Sequence, residues 1–185
     1  MGIDYVGSSD ADLVQRVLGG DTGAYAGLVA RYRERLARYA RHMLGNREDA
    51  EEAVQDAFVR AYSSLHRCTD PPGFGPWLFA TLVNRCRTAG GRRARRERVL
   101  VSDPDALATA SVEDTAERSA WADALRWALE QLDPVYLEAF LLKYVEQLSY
   151  EEMAQATGSG VSALKMRVKR ACDRLRALLE EVERV

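Results

Sequence analysis

Apolar residues recur at spacings of three and four along nearly the whole chain, with no run of alternating β-branched residues bounded by hairpin turns. That periodicity predicts an all-α protein. A short helix over about Asp10 to Leu18 meets Gly19-Gly20. Asp21 is then expected to cap a longer helix whose stripe is Tyr25, Leu28, Val29, Tyr32, Leu36, Tyr39, Ala40 and Met43, stopped at Gly45. Asn46 suits the N-cap of a third helix, with Asp49 near the positive end of its dipole. Its core stripe is Ala50, Ala53, Val54, Ala57, Phe58, Ala61 and Leu65. Pro71, Pro72 and Pro76 break the pattern before a fourth helix beginning near Trp77. Thr88-Ala89-Gly90-Gly91 is expected to end that helix early, because each glycine costs about 1 kcal/mol in a helix interior.

Residues 99–120 are acidic and rich in Ala, Ser and Asp, and they read as a linker between two small domains, 1–98 and 121–185. Beyond it, Trp121, Leu125, Ala128 and Leu132 mark one helix, and Asp133-Pro134 is a cap followed by proline at the first helical position of the next. Ser149-Tyr150-Glu151-Glu152 is a capping box opening a short helix that ends at Thr157-Gly158. The last helix opens near Ser159, with Val161, Leu164, Val168, Ala171, Leu175, Leu178 and Val182 on one stripe. Lys165, Met166, Arg167, Lys169, Arg170, Arg174 and Arg176 must project elsewhere. A short capped helix, a glycine turn and a second helix with a basic exposed face is the layout of a helix-turn-helix. In that geometry Ser162, Ala163, Lys165 and Met166 are placed to meet base edges, and Arg167, Lys169 and Arg170 to meet phosphates.

Charge adds the partners. The chain of 185 residues is nearly balanced, at −2, but its charges lie in blocks. From Asn46 to Asp56 five acids stand against one base, and from Arg85 to Arg98 seven arginines against one acid. From Val99 to Ala120 five acids stand against one base, and from Lys165 to Arg176 six bases against one acid. Two separated basic blocks suit two contacts with a polyanion. Solvated helix faces are the plainer alternative for any single block. The longest apolar stretches fall far short of the roughly 20 residues a membrane-spanning helix needs. The N-terminus MGIDYVGSSD lacks the basic patch and apolar run of a signal peptide, so no membrane insertion and a cytoplasmic location are expected. Cys68, Cys86 and Cys172 have no metal-ligand spacing and read as reduced thiols. His42 and His66 read as surface residues with no nucleophile or ligand set nearby, and no Gly-rich phosphate loop occurs. No catalytic residue, metal or cofactor is expected.

The stretch LEQLDPVYLEAFLLKYVEQLSYEEMAQATGSGVSALKMRVKRACDRLR resembles region 4 of the extracytoplasmic-function (ECF) sigma factors, which binds the −35 promoter element. NREDAEEAVQDAFVRAY resembles region 2.2 of the same family, and FGPWLFATLVNRCR resembles regions 2.3 and 2.4. The resemblance implies a bacterial initiation factor, not an enzyme, that binds core RNA polymerase through its β′ coiled coil and β subunit and directs it to promoter DNA. An anti-sigma factor is implied as a further partner. By the family motif the β′ contact falls on Glu52, Gln55 and Asp56, which the helical pattern independently puts on the face opposite Val54 and Phe58. The −10 element, melted and read as single strand, falls to the loop around Arg67 to Phe74, to Asn84, Arg85 and Arg87, and to Arg92, Arg93, Arg95 and Arg96 on phosphates. Trp77 reads as packing with Phe79 and Leu82. Ser162-Ala163 and Met166 depart from the family's usual Gly-Thr pair and Ser, so a different promoter sequence is expected on the same fold. The competing reading is a homodimeric helix-turn-helix regulator acting without polymerase, which leaves the first half of the chain without a role.

Overall fold

The computed structural model describes residues 7–68, 73–97 and 116–182, and among the described residues there is no strand. The helices are α1 (Asp10–Leu18), α2 (Ala24–Leu44), α3 (Arg47–Ser63), α4 (Phe74–Glu97), α5 (Ala116–Glu130), α6 (Pro134–Phe140), α7 (Tyr150–Thr157) and α8 (Val161–Val182). A 3-10 turn lies at Leu65–Arg67 and a π-helical turn at Leu141–Val145. They form two compact units, one built on α1 to α4 and the other on α5 to α8.

In the first unit α2 is the central element, burying Leu28, Tyr32, Leu36, Tyr39 and Ala40 while α1, α3 and α4 pack on it. α1 opens with a reciprocal cap: Ser9 Oγ accepts from Asp12 N at 3.1 Å, and Ser9 N donates to Asp12 Oδ2 at 3.1 Å. Ser9 Oγ also donates to Asp12 Oδ2 at 2.7 Å, and this bond, helped by the one from Ser9 N, holds the Asp12 carboxyl below the usual carboxylate range. Arg31 and Tyr32 of α2 both meet the Asp10 carboxylate, tying the two helices. Gly45, at φ 72°, stops α2 in the left-handed conformation that glycine adopts without strain. α3 buries Ala50, Ala53, Val54, Ala57, Phe58 and Ala61, and α4 packs on it and on α2, burying Phe74, Leu78, Phe79, Leu82, Val83 and Cys86.

Five boundaries differ from the sequence reading. Asp21 does not cap α2: Gly23 stands at that position without a side-chain bond, and the Asp21 carboxylate pairs with Arg16 at 2.9 Å. α4 begins at Phe74 rather than near Trp77, and it runs through Gly90 and Gly91 to Glu97 instead of ending early. A cost of about 1 kcal/mol per glycine does not stop a helix already anchored by six buried side chains and continued by Arg and Ala. α5 begins at Ala116, so helix occupies the last five positions expected of the linker; residues 98–115 lie outside the described residues. α8 begins at Val161, two residues after Ser159.

In the second unit α8 buries Leu164, Val168, Ala171, Leu175 and Leu178 against α5 and α6. Val168 and each of the leucines contribute about 1.5–3 kcal/mol by leaving water, and Ala171 less. Asp133 caps α6 by accepting from Val135 N at 2.9 Å, with Pro134 at the first helical position. Ser149 and Glu152 form the capping box of α7, at 3.1 and 2.7 Å. Gly158, at φ 68°, makes the turn into α8.

Candidate functional site

α3 carries the first candidate surface. Asn46 Oδ1 accepts from Asp49 N at 2.7 Å, which fixes the start of the helix and therefore the phase of every later residue. With the alanine face buried, Glu48, Glu51, Glu52 and Gln55 are exposed and Asp56 is half-buried. Glu52, Gln55 and Asp56 thus stand together on one face, as their spacing predicts. Glu48, Glu52 and Asp56 form a column of like charges at i, i+4 and i+8, each adjacent pair costing about 0.2–0.5 kcal/mol. The column is flanked by cations. Arg47 Nε donates to Glu51 Oε1 at 2.8 Å, holding that carboxyl below its usual range with smaller help from the charges of Arg33 and Arg41. Arg85 of α4 pairs with Asp56 across the seam between the two helices. The same face continues into apolar surface that the sequence reading missed: Val59 is 57% exposed and Tyr62 43%. Tyr62 is held by an edge contact with Tyr25 at 4.9 Å, whose hydroxyl donates to Phe58 O at 2.7 Å. Both residues fall out of phase with the Ala57, Phe58 and Ala61 stripe, which was the available signal.

The arginine-rich stretch divides. Asn84, Arg87 and Thr88 are exposed on α4, while Arg85 turns into the α3 seam. Arg67 is exposed on the 3-10 turn after α3. Residues 69–72 of the adjoining loop lie outside the described residues. Arg92, Arg93, Arg95 and Arg96 fall on α4, but their side chains are outside what is described. Trp77 is half-buried, its ring 6.0 Å from Phe74, consistent with a packing role.

In the second unit α7, the Gly158 turn and α8 follow one another in the order of a helix-turn-helix. Ser162, Ala163, Lys165 and Met166 are all exposed on the first turns of α8, Met166 at 51%. Arg167 is half-buried, its Nη1 donating to Ser159 Oγ at 2.9 Å at the helix entrance. Lys169 lies 3.8 Å from Asp173, and Arg170 Nη1 donates to Tyr136 Oη at 3.3 Å; both are exposed. A cation the sequence reading did not single out joins this surface. Lys143 Nζ lies 4.7 Å from the centre of the Tyr150 ring, and Lys165 Nζ lies 5.5 Å from the same ring. Lys143 reaches it because its backbone is in the π-helical turn, and its Nζ also donates to Leu148 O at 3.1 Å. Nothing in the local pattern marks a π turn.

The two halves match two family models, in order: residues 28–97 match Sigma-70 region 2, and residues 122–175 match Sigma-70 region 4. The RNA polymerase sigma factor CarQ of Myxococcus xanthus is 31% identical over 170 residues, covering 92% of this chain and 97% of that protein. The ECF RNA polymerase sigma-E factor of Haemophilus influenzae is 30% identical over 173 residues, covering 88% and 91%. Among solved structures, CnrH in complex with the cytosolic domain of CnrY superposes with a TM-score of 0.70 at 28% identity, covering 93% of this chain and 97% of that one. The sigma factor RpoE of Bartonella quintana, solved with the anti-sigma factor NepR, gives 0.72 at 23% identity, a likeness of fold, covering 84% and 96%.

Proposed function

This chain belongs to the ECF group of RNA polymerase sigma factors, and from that premise we propose that it docks on core RNA polymerase through α3 and selects promoters by a −10 contact in its first unit and a −35 contact in its second. Sigma factors are transcription initiation factors without an enzymatic activity of their own, and this chain acts as one. The docking and −10 roles fall to the first unit, α1 to α4, and the −35 role to the second, α5 to α8.

One observation carries the reading. An exposed acidic and hydrogen-bonding face on α3 and an exposed basic face on a helix-turn-helix occur in one chain, each within its own matched region. Glu52, Gln55 and Asp56 offer acceptors to the basic β′ coiled coil, with Val59 and Tyr62 adding an apolar edge. Asn84 and Arg87, with Arg67, Arg92 and Arg93, serve the opened −10 strand, where exposed bases and backbone need polar and cationic partners. Ser162, Ala163, Lys165 and Met166 meet −35 base edges, while Arg167, Lys169 and Arg170 hold phosphates. An anti-sigma factor, covering these surfaces until a signal removes it, regulates the protein. Among the described residues no helix is long and apolar enough to cross a membrane. The proposed site of action is the cytoplasm, where polymerase and promoter are.

The test is fluorescence anisotropy of labelled protein titrated with bacterial core RNA polymerase, beside a Glu52→Ala/Gln55→Ala/Asp56→Ala variant and beside duplex DNA alone. Tight binding to polymerase, weakened at least about tenfold in the variant, with feeble binding to free duplex, supports the reading. Tight, stoichiometric binding to duplex DNA with no affinity for polymerase overturns it in favour of a homodimeric regulator.

A further inference from the structure

We propose that Arg85 is a positioning residue for polymerase docking: its guanidinium holds the Asp56 carboxylate in the orientation in which the α3 face receives its partner, and it does not itself contact DNA. The inference rests on the docking role proposed above for α3.

Arg85 stands in the arginine-rich stretch that resembles the strand-reading segment, yet it differs from the residues around it. Asn84 and Arg87 are exposed on α4. The Arg85 side chain is 21% exposed, and its Nη2 meets Asp56 Oδ2 across the α3–α4 seam. Its Nε is also buried, with no hydrogen-bond acceptor among the described residues. A guanidinium so placed is held in the seam by the carboxylate opposite, since its remaining donors gain little there. It is committed to α3 rather than poised over the α4 surface.

Asp56 has a second cation within reach of its own helix. Arg60 lies one turn on, at i+4, with the acid N-terminal to the base, the orientation in which such pairs form best. The structure pairs Asp56 with Arg85 instead. Pairing with Arg60 would keep the carboxylate along α3, whereas pairing with Arg85 draws it toward α4. Arg85 also opposes the repulsion from Glu52 one turn before. Because the ion pair engages Oδ2, Oδ1 is left as an acceptor for a donor from the partner. Asp56 is therefore presented as a fixed, largely compensated acceptor, and Glu48 and Glu52 carry the attraction at longer range.

A double-mutant cycle on the full chain tests this. Core polymerase affinity is measured by anisotropy for wild type, Arg85→Met, Arg85→Lys, Asp56→Asn and Asp56→Asn/Arg85→Met, with circular dichroism melts of each. The expected result is about a fivefold loss for Arg85→Met, the scale of one partly exposed ion pair, and recovery of most of it in Arg85→Lys. In the Asp56→Asn background Arg85→Met should cost nothing further. Each holoenzyme, assembled at saturating polymerase, is then titrated with a randomised single-stranded DNA oligonucleotide. Arg85→Met should bind the strand as wild type does, whereas Arg87→Met should bind it more weakly. Unchanged polymerase affinity in Arg85→Met, an equal loss with and without Asp56, or strand binding that falls with Arg85 overturns the proposal while leaving the docking role standing. A wild-type chain that does not bind core polymerase overturns both.

Discussion

Gly75, the second residue of α4, lies against Tyr32 of α2, and replacing it with alanine measures how tightly that contact is drawn. A Cβ built there would sit 2.7 Å from Tyr32 Oη and 3.2 Å from its Cε1 and Cζ, well inside the ordinary contact distance of about 3.5 Å. The ring cannot simply rotate away. Its hydroxyl is bonded to Asp10 of α1 and its face meets Phe74 at 5.7 Å, so relief must loosen the joint of three helices. Overpacking of this kind costs about 1–3 kcal/mol. Alanine regains up to about 1 kcal/mol over glycine in a helix, less in a first turn, so the net expectation is a loss of about 1–2 kcal/mol. Trp77, two residues on, reports it: urea unfolding is followed by its fluorescence in a Trp121→Phe/Trp127→Phe background. Tyr32→Phe removes the 2.7 Å contact but keeps the ring. Gly75→Ala should therefore cost less in that background, with a coupling of at least about 0.5 kcal/mol. A Gly75→Ala chain that is more stable than wild type, or an equal cost in both backgrounds, would refute the steric argument.

Two further expectations concern the turn of the helix-turn-helix and the buried tyrosines. Gly158→Ala meets no atom within 4 Å, so its cost is conformational alone, about 1–2 kcal/mol for a side chain held at φ 68°, and Gly158→Asn should lose less. Unfolding followed by Trp121 and Trp127 in a Trp77→Phe background should detect this, and unchanged stability in Gly158→Ala would refute the assigned backbone. Burial pushes the hydroxyls of Tyr25 and Tyr32 well above their ordinary pKa of 10.0, with the bond to Asp10 adding to the effect at Tyr32. The unfolded chain ionises first, so these two residues leave stability unchanged below pH 10.0 and lower it progressively above. Alkaline absorbance titration should show them ionising late and together with unfolding; ordinary titration in a still-folded protein would contradict their burial.

The caps and core stripes were legible because each depends on residues close in sequence. Asn46, Ser149 with Glu152, Asp133-Pro134, Gly45 and Gly158 all occupy the positions their chemistry predicts. Reading failed where a second partner competed. Asp21 is a good cap by type, but Arg16 five residues earlier takes its carboxylate, and α2 starts later without a side-chain cap. Gly90-Gly91 looked like an end because local propensity was weighed without the buried anchor behind it. The exposed Val59 and Tyr62 fall outside the core stripe of their helix, and an apolar surface there is legible only if the residues left out of the stripe are read as well as those in it. Lys143 depended on a π turn that leaves no local mark.

The larger gap lies in what blocks of charge reveal. Asp56 belongs to an acidic block and Arg85 to a basic one, 29 residues apart, and summing each block assigned them to different partners. In the fold they are neighbours. A block's sum overstates what it can offer whenever the fold brings opposite blocks together, and the excess depends on burial. Arg47 with Glu51 and Lys169 with Asp173 are pairs of largely exposed side chains worth little in water, so a phosphate or a partner's charge can open them cheaply. The Asp56 pair opens less readily, because its carboxylate is part-exposed but its arginine is mostly buried, and parting them leaves the guanidinium without an acceptor in the seam. On the proposed function Lys165 and Lys169 are therefore available to DNA, as their spacing suggests, while the proposed positioning role takes Arg85 out of the strand-reading set, although its spacing suggests the same.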